Sequence, residues 1–83
     1  MTEGMTWEPS TIDDAPFFAT LHSGGRAVIQ VELTHTGMNS WWNLRDLTHW
    51  PFLVVDVART QEQARREAES MARQMETGKE AAA

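Results

Sequence analysis

The chain has 83 residues, which predicts one small domain with a thin core. It has no cysteine, which excludes disulfides, thiolate nucleophiles and cysteine-based zinc sites. A small chain without disulfides is typical of a reducing cytoplasm. The chain's formal net charge of −5 argues against a nucleic-acid binder that acts by neutralising phosphates. No basic stretch followed by an apolar one opens the chain, and no apolar run approaches the roughly 18 residues that span a bilayer, so neither a signal peptide nor a membrane helix is expected.

Residues 1–15 predict an extended acidic arm. The first 25 residues contain no lysine or arginine and four carboxylates, Glu3, Glu8, Asp13 and Asp14. Such an arm suits a basic partner surface, although a solvated, partly disordered tail explains the same charges. Trp7, an isolated apolar residue of the arm, is a candidate to dock on the domain.

Residues 16–35 predict a β-hairpin, because apolar and polar side chains alternate on both sides of residues 23–25. A two-residue Gly-Gly loop would put the apolar side chains of the two strands on opposite faces. A three-residue loop pairs Leu21 with Ala27 and makes one apolar face. The three-residue loop is therefore the expected one.

The segment "NSWWNLRDLTHWP", residues 39–51, holds three of the four tryptophans. Capped by Asn39 or Ser40, residues 41–48 predict a short helix. The stripe of this helix that faces the core would be Trp41, Leu44 and Leu47. Trp42 lies on the other side of the helical wheel, so it covers the outer face of the sheet, joins the core or contacts a partner. If the segment is a strand instead, the two adjacent tryptophans point to opposite faces.

Residues 52–57 predict a third strand. Pro51 holds Trp50 in an extended geometry, and Trp50 is expected to pack at the start of this strand. The strand is apolar on both faces for most of its length, which favours a central position in the sheet.

The C-terminal segment predicts a helix that begins with a capping box. The Thr60 hydroxyl can accept from the Gln63 amide, while the Gln63 side chain reaches back to the Thr60 amide. The helix is expected to run to about Thr77, with Gly78 as its stop. Its apolar stripe is Ala64, Ala68, Met71, Ala72 and Met75.

Together these elements predict a single α+β domain over residues 16–78. It consists of a small three-stranded antiparallel sheet, made of the hairpin and the third strand, with the C-terminal helix packed on one face. The order is β-β-(short helix or loop)-β-α, and residues 79–83 are expected to form a disordered tail.

The sequence shows no pattern of catalysis or metal binding. His22, His35 and His49 lie 13 and 14 residues apart, which is not a metal-ligand spacing. Nothing specifies the distance between Asp46 and Asp56, so they are not identified as an acid-base pair. We therefore expect no enzymatic activity, no metal and no cofactor.

Neither nucleic-acid nor membrane binding is expected from the C-terminal helix. Its arginines interleave with glutamates, which is typical of a solvated helix face rather than of a basic stripe. Its apolar stripe is mostly alanine, which is too small for a helix that lies on a membrane.

The ending "VVDVARTQEQARREAESMARQM", a strand followed by a capped alanine-rich helix, resembles the end of many small ββ(β)α modules, of which the HicB-like antitoxin half-domain is one. The proline-glycine loop that precedes the helix in that family is absent here. The resemblance implies an antitoxin-like or self-associating module, in which an apolar outer sheet face or the strand around Val54 makes a homodimer.

As a type, a short, acidic, cysteine-free chain without a catalytic motif resembles the small inhibitors encoded by phages and mobile elements, including anti-CRISPR proteins, which occupy a surface of a larger host complex. The leading hypothesis is therefore a non-enzymatic, cytoplasmic protein-binding module, monomeric or homodimeric. Tryptophan beside methionine and arginine is typical of binding hot spots. The candidate partner-binding residues are Trp42, Arg45, Met38, Asp46, Trp50, Asp13 and Asp14.

Overall fold

The structure, a computed structural model, describes residues 4–13 and 17–82, with side chains described up to residue 75. Its elements are β1 (Met5–Glu8), β2 (Phe18–Ser23), β3 (Arg26–Thr36), β4 (Asn39–Asp46), β5 (Val54–Ala58) and α1 (Gln61–Ala82). The strands form one antiparallel sheet in chain order, and α1 packs on one face of it. The α+β class and the C-terminal helix on one face are confirmed, but the sheet has five strands rather than three.

The turn between β2 and β3 has two residues, so the predicted three-residue loop is wrong. Ser23 pairs with Arg26, and the intervening Gly24 and Gly25 have φ values of 61° and 81°. Positive φ at both central residues is the requirement of the type I′ turn, which matches the twist of a hairpin. Glycine meets this requirement without steric cost.

A β-bulge then restores the single apolar face that a two-residue turn alone would not give. The register shifts between Leu21 and His22, so that Leu21 pairs with Ile29 instead of the predicted Ala27. Val28 is the extra residue of β3, and it packs against the core. The one-sided apolar face of the hairpin therefore forms through a pairing that neither considered loop produces.

The predicted short helix over residues 41–48 is wrong, because this segment is mostly β4. β4 pairs with β3 through a tight turn in which Thr36 faces Asn39 and Gly37 has a φ of 60°. On the helix side of the sheet, Trp42 lies opposite Leu33. A helical wheel and a strand alternation both fit so short a segment, and pairing with the long strand β3 decides in favour of the strand.

The core lies between α1 and the three middle strands. The predicted helix stripe is confirmed: its three alanines are buried, and Met71 and Met75 pack against them. The other buried core residues are Ala19, Leu21, Ile29, Val31, Trp42, Leu44 and Ala58. Alanine on the helix allows its backbone to approach the sheet closely, so the larger side chains of the core come from the strands.

The helix begins as expected and ends later than expected. The Gln63 amide donates to the Thr60 hydroxyl at 3.1 Å, which confirms the cap. The Gln63 side chain accepts from the Arg59 amide at 3.3 Å, one residue before the predicted donor. The helix then continues through Gly78 to Ala82, so the predicted stop at Gly78 is wrong.

Strand β1 is attached to the helix by Trp7, as expected for a docked residue. Its indole Nε1 donates to Glu69 Oε2 at 2.8 Å, and the Arg65 guanidinium lies 4.8 Å from the ring centroid. Arg65 also donates to the Thr11 carbonyl at 3.1 Å. Part of the segment that predicts an acidic arm is therefore an edge strand of the sheet.

The two adjacent tryptophans of β4 should contribute unequally to stability. Trp42→Ala is expected to lower the free energy of unfolding by about 3–5 kcal/mol, because it empties a buried site. Trp41→Ala, on the opposite and open face, should cost less than half as much. Urea denaturation followed by far-UV circular dichroism measures both, and equal losses would contradict the assignment of the two faces.

Candidate functional site

The two adjacent tryptophans have the reverse of their predicted roles. Trp42 is only 7% exposed and packs under α1, so it joins the core, and the predictions that it covers the outer face or contacts a partner are wrong. Trp41 lies half-buried on the outer face, where its Nε1 donates to Asn43 Oδ1 at 2.8 Å. Asn43 in turn donates to the Thr34 hydroxyl at 2.6 Å, which fixes the indole on the sheet.

The other predicted contact residues do not form one surface. Met38 is fully exposed in the turn before β4, whereas Arg45 lies near the opposite end of that strand, about 20 Å away at the usual rise per residue. Trp50 is 83% exposed in the loop after β4, where its ring contacts that of Phe52, the first residue of the predicted third strand. Asp13 is exposed near β1, and Asp14 lies outside the described residues.

Arg45 and Asp46 hold the loop between β4 and β5. The Arg45 guanidinium donates to the Phe52 carbonyl at 2.7 Å, and the Asp46 amide donates to the Leu53 carbonyl at 3.0 Å. Both bonds return the chain to the edge of β4 before β5 begins. The two residues therefore position the loop, in addition to any role at a partner surface.

The Asp46 carboxylate organises the first turn of the same loop. Its Oδ1 accepts from the Thr48 amide at 2.7 Å and from the Thr48 hydroxyl at 2.5 Å, and its Oδ2 lies 3.4 Å from His49 Nδ1. Burial raises the pKa of Asp46, but the bonds from Thr48 and the interaction with His49 outweigh it and hold the pKa below its ordinary value. The carboxylate therefore stays ionised and bonded at neutral pH.

An exposed apolar surface is formed by the end of this loop together with β5, and we call it the β5 surface. Its six side chains are 40–83% exposed and lie within eight consecutive residues: Trp50, Phe52, Leu53, Val54, Val55 and Val57. The Trp50 and Phe52 rings meet edge to face, with centroids 5.3 Å apart. This is the largest group of exposed apolar side chains close together in sequence among the described residues.

The β5 surface is exposed because β5 is the last strand of the sheet. The predicted central position is wrong, since β5 pairs with β4 alone. Val54 and Val57 lie opposite Arg45 and Asn43 on the face that α1 does not cover. Ala58 is the one residue of β5 that is buried under the helix.

The backbone of β5 is less available than its side chains. Asp56 Oδ1 accepts from the Val57 amide at 2.8 Å, so a charged side chain occupies a donor of the edge strand. A register shift between Leu44 and Arg45 leaves Val55 as an extra residue, which breaks the regular spacing of the edge. Charged side chains and bulges are two ways in which edge strands resist the addition of another strand.

The side chains that the structure describes include no metal-ligand cluster and border an open cleft. Within residues 4–13 and 17–75, no three histidine or carboxylate side chains lie close enough together to hold a metal ion. A cleft of about 640 Å³ near the β2–β3 turn is open, and its lining includes Arg26, Val28 and His49. Across residues 4–13 and 17–82, no helix is long and apolar enough to cross a membrane.

No protein-family model, no curated protein and no solved structure matches the chain. Its function is therefore argued from the chemistry of its surface.

Of the six residues in the β5 surface, the sequence predicts Trp50 as a contact with a host partner and the strand around Val54 as a homodimer contact. The run of valines after Pro51 is apolar on both faces, which is typical of a buried central strand and equally of an exposed edge. What distinguishes a central strand from an edge strand here is whether another strand pairs with the free side of β5. Recognising β4 as a strand is what moves β5 to the edge.

The Asp46 network should make stability depend on pH. Because the pKa of Asp46 is lowered in the fold, its contribution is complete above the ordinary value of 3.8 and is lost as the pH falls through the folded value. Asp46→Asn should reduce the free energy of unfolding by about 1–2 kcal/mol at pH 7, and this difference should shrink as the pH falls below 3.8. Urea unfolding between pH 2.5 and 7 measures it.

Asp13→Asn is the matched control for Asp46→Asn, because the Asp13 carboxylate is exposed. It should leave the unfolding curve nearly unchanged at every pH. A deficit of Asp46→Asn that stays constant down to pH 2.5 would show that the carboxylate charge is not what stabilises the loop.

Proposed function

We propose that this protein is a non-enzymatic protein-binding module that contacts its partner through the β5 surface. The observation that carries the proposal is the density of exposed apolar side chains between Trp50 and Val57. Taking about 150–250 Å² for a fully exposed aromatic residue and less for leucine and valine, the six together present roughly 600 Å² at their observed exposures. The largest apolar patch of a typical monomer is about 300–600 Å², and patches at this limit commonly mark interaction sites.

The composition and rigidity of the β5 surface support the same proposal. Tryptophan, phenylalanine and a neighbouring arginine are residue types enriched at binding hot spots. The bond from Arg45 to the Phe52 carbonyl and the ring contact between Trp50 and Phe52 hold the loop in one arrangement. A surface that is already ordered loses less conformational entropy on binding, which favours affinity.

More specifically, we propose an inhibitor of the anti-CRISPR type, encoded by a phage or mobile element. Such an inhibitor occupies a surface of a larger host complex. This form of the proposal is supported by class analogy with small acidic chains and by the net charge of −5, which favours approach to a basic partner. In this form the β5 surface supplies the apolar centre of the contact. Asp13, which follows β1 at the other edge of the sheet, would make a separate charged contact.

A second candidate function is self-association as a structural module. It is favoured by the position of the β5 surface at the edge of the sheet, where all residues of β5 except Ala58 are exposed. Both candidates use the same surface and differ in the identity of the partner.

The shared claim is tested by photo-crosslinking from within the β5 surface. A benzophenone amino acid in place of Leu53 should give a covalent protein adduct when the chain is expressed in its native cell. The same probe in place of Phe17 is the matched control, because Phe17 is 63% exposed, Leu53 is 61% exposed, and Phe17 lies outside the β5 surface. Denaturing gels and mass spectrometry detect and identify the adducts.

An adduct from position 53 that is absent or much weaker from position 17 supports a protein contact at the β5 surface. Equal labelling from both positions would indicate nonspecific contact and reject the proposed surface. The absence of any adduct from position 53 would reject it as well.

A further inference from the structure

We infer that the partner of the β5 surface is a second copy of this chain, with the two copies packed surface to surface about a two-fold axis. The inference rests on the proposed function, because it requires the β5 surface to be a protein contact. It adds the identity of the occupant and the symmetry of the contact. In a two-fold contact the same patch lies on both sides of the interface, so the patch has to be complementary to itself.

The area of the surface is sufficient for a dimer. If they were fully covered, two β5 surfaces of roughly 600 Å² would bury about 1,200 Å² in total, against the approximately 1,000 Å² expected of a specific interface. Homodimer interfaces are also more apolar than other interfaces, and all six side chains of the β5 surface are apolar.

The apolar character of the surface is self-complementary. Trp50 and Phe52 offer ring edges and faces at one end, and the valines of β5 offer branched side chains at the other. A two-fold axis can pack either end of one copy against the apolar side chains of the other. The β5 surface of a second copy therefore has the same apolar area as the β5 surface that it removes from water.

The charges near the surface also permit two copies to meet. The whole chain carries a net charge of −5, so contact through an acidic face would be repulsive. Asp56 is the one charged residue between Trp50 and Val57. Asp56 lies opposite Leu44, on the helix side of the sheet, whereas Val54 and Val57 lie on the other face. The carboxylates of the two copies are therefore kept out of a contact made through Val54 and Val57.

Contact through side chains agrees with the state of the β5 backbone. Asp56 already accepts from the Val57 amide, and the bulge at Val55 interrupts the edge. Continuous strand addition would have to undo both features. Packing of the exposed side chains leaves both in place, so the inferred dimer does not need the local structure of either copy to change.

The test is sedimentation equilibrium and light scattering of the full chain over about 1–500 μM, because standard-size apolar interfaces commonly dissociate within or below this range. The wild type is expected to have twice the mass of one chain at the upper concentrations. Leu53→Lys and Val57→Lys place a charge within the contact and should each raise the dimer dissociation constant at least about tenfold. Phe17→Lys, at matched exposure outside the surface, should dimerise as the wild type does. Far-UV circular dichroism checks that each variant is folded.

A dimer lost in both β5 variants and kept in Phe17→Lys supports the inference. A wild type that stays monomeric up to the highest concentration overturns it, as does a dimer that both β5 variants leave unchanged or that Phe17→Lys weakens equally. If Leu53→Lys unfolds, Val57→Lys decides, and if both unfold, the benzophenone chain decides by the mass of its adduct. An adduct of position 53 with a different protein, from a chain that is itself monomeric, rejects the second copy and retains the protein-binding function.

Discussion

One helix covers a sheet of five strands, and this mismatch in width determines which residues are buried. Five strands spaced about 4.8 Å apart span roughly 19 Å between the outermost strand axes, whereas a helix with its side chains is about 10–12 Å across. The strand residues buried in the core belong to β2, β3 and β4, with the single addition of Ala58. The helix contributes alanine to this core, so it lies close to the middle strands and reaches little beyond them.

The two edges of the sheet lie outside this cover and are stabilised in different ways. At the β1 edge, Trp7 spans the gap to the helix, with Glu69 accepting from its indole and Arg65 lying over its ring. At the β5 edge, the described structure has no large side chain that spans the corresponding gap. The apolar side chains of β5 consequently remain exposed, whereas the polar bonds of Arg45 and Asp46 hold only the loop before it. The candidate site is thus a direct consequence of where the helix lies.

Sequence reasoning predicted the elements whose signals are local and missed those that depend on pairing. The capped helix and its alanine stripe are encoded within a few residues each, and so is the position of the glycine turn between β2 and β3, although not its length. The segment 41–48 satisfies both a helical wheel and a strand alternation, and only pairing with β3 distinguishes them. That single error exchanged the roles of Trp41 and Trp42 and moved β5 from the edge to the centre. The four-residue β1 carries too short a pattern to be recognised, although the docking of Trp7 was predicted.

In β5 the backbone edge is partly blocked, whereas the apolar side chains are exposed. This combination limits the assemblies that the strand favours. An edge strand with a free backbone can add strands without end, because each added strand presents a new edge. Asp56 and the bulge at Val55 oppose that mode. Exposed valines, Leu53 and the two aromatic rings still gain free energy when they are covered, at about 25 cal/mol per Å² of apolar surface removed from water. If the contact buries the exposed side chains and leaves the backbone edge blocked, no further strand can be added. A two-fold contact of this kind is complete after two copies, because each copy uses the same patch.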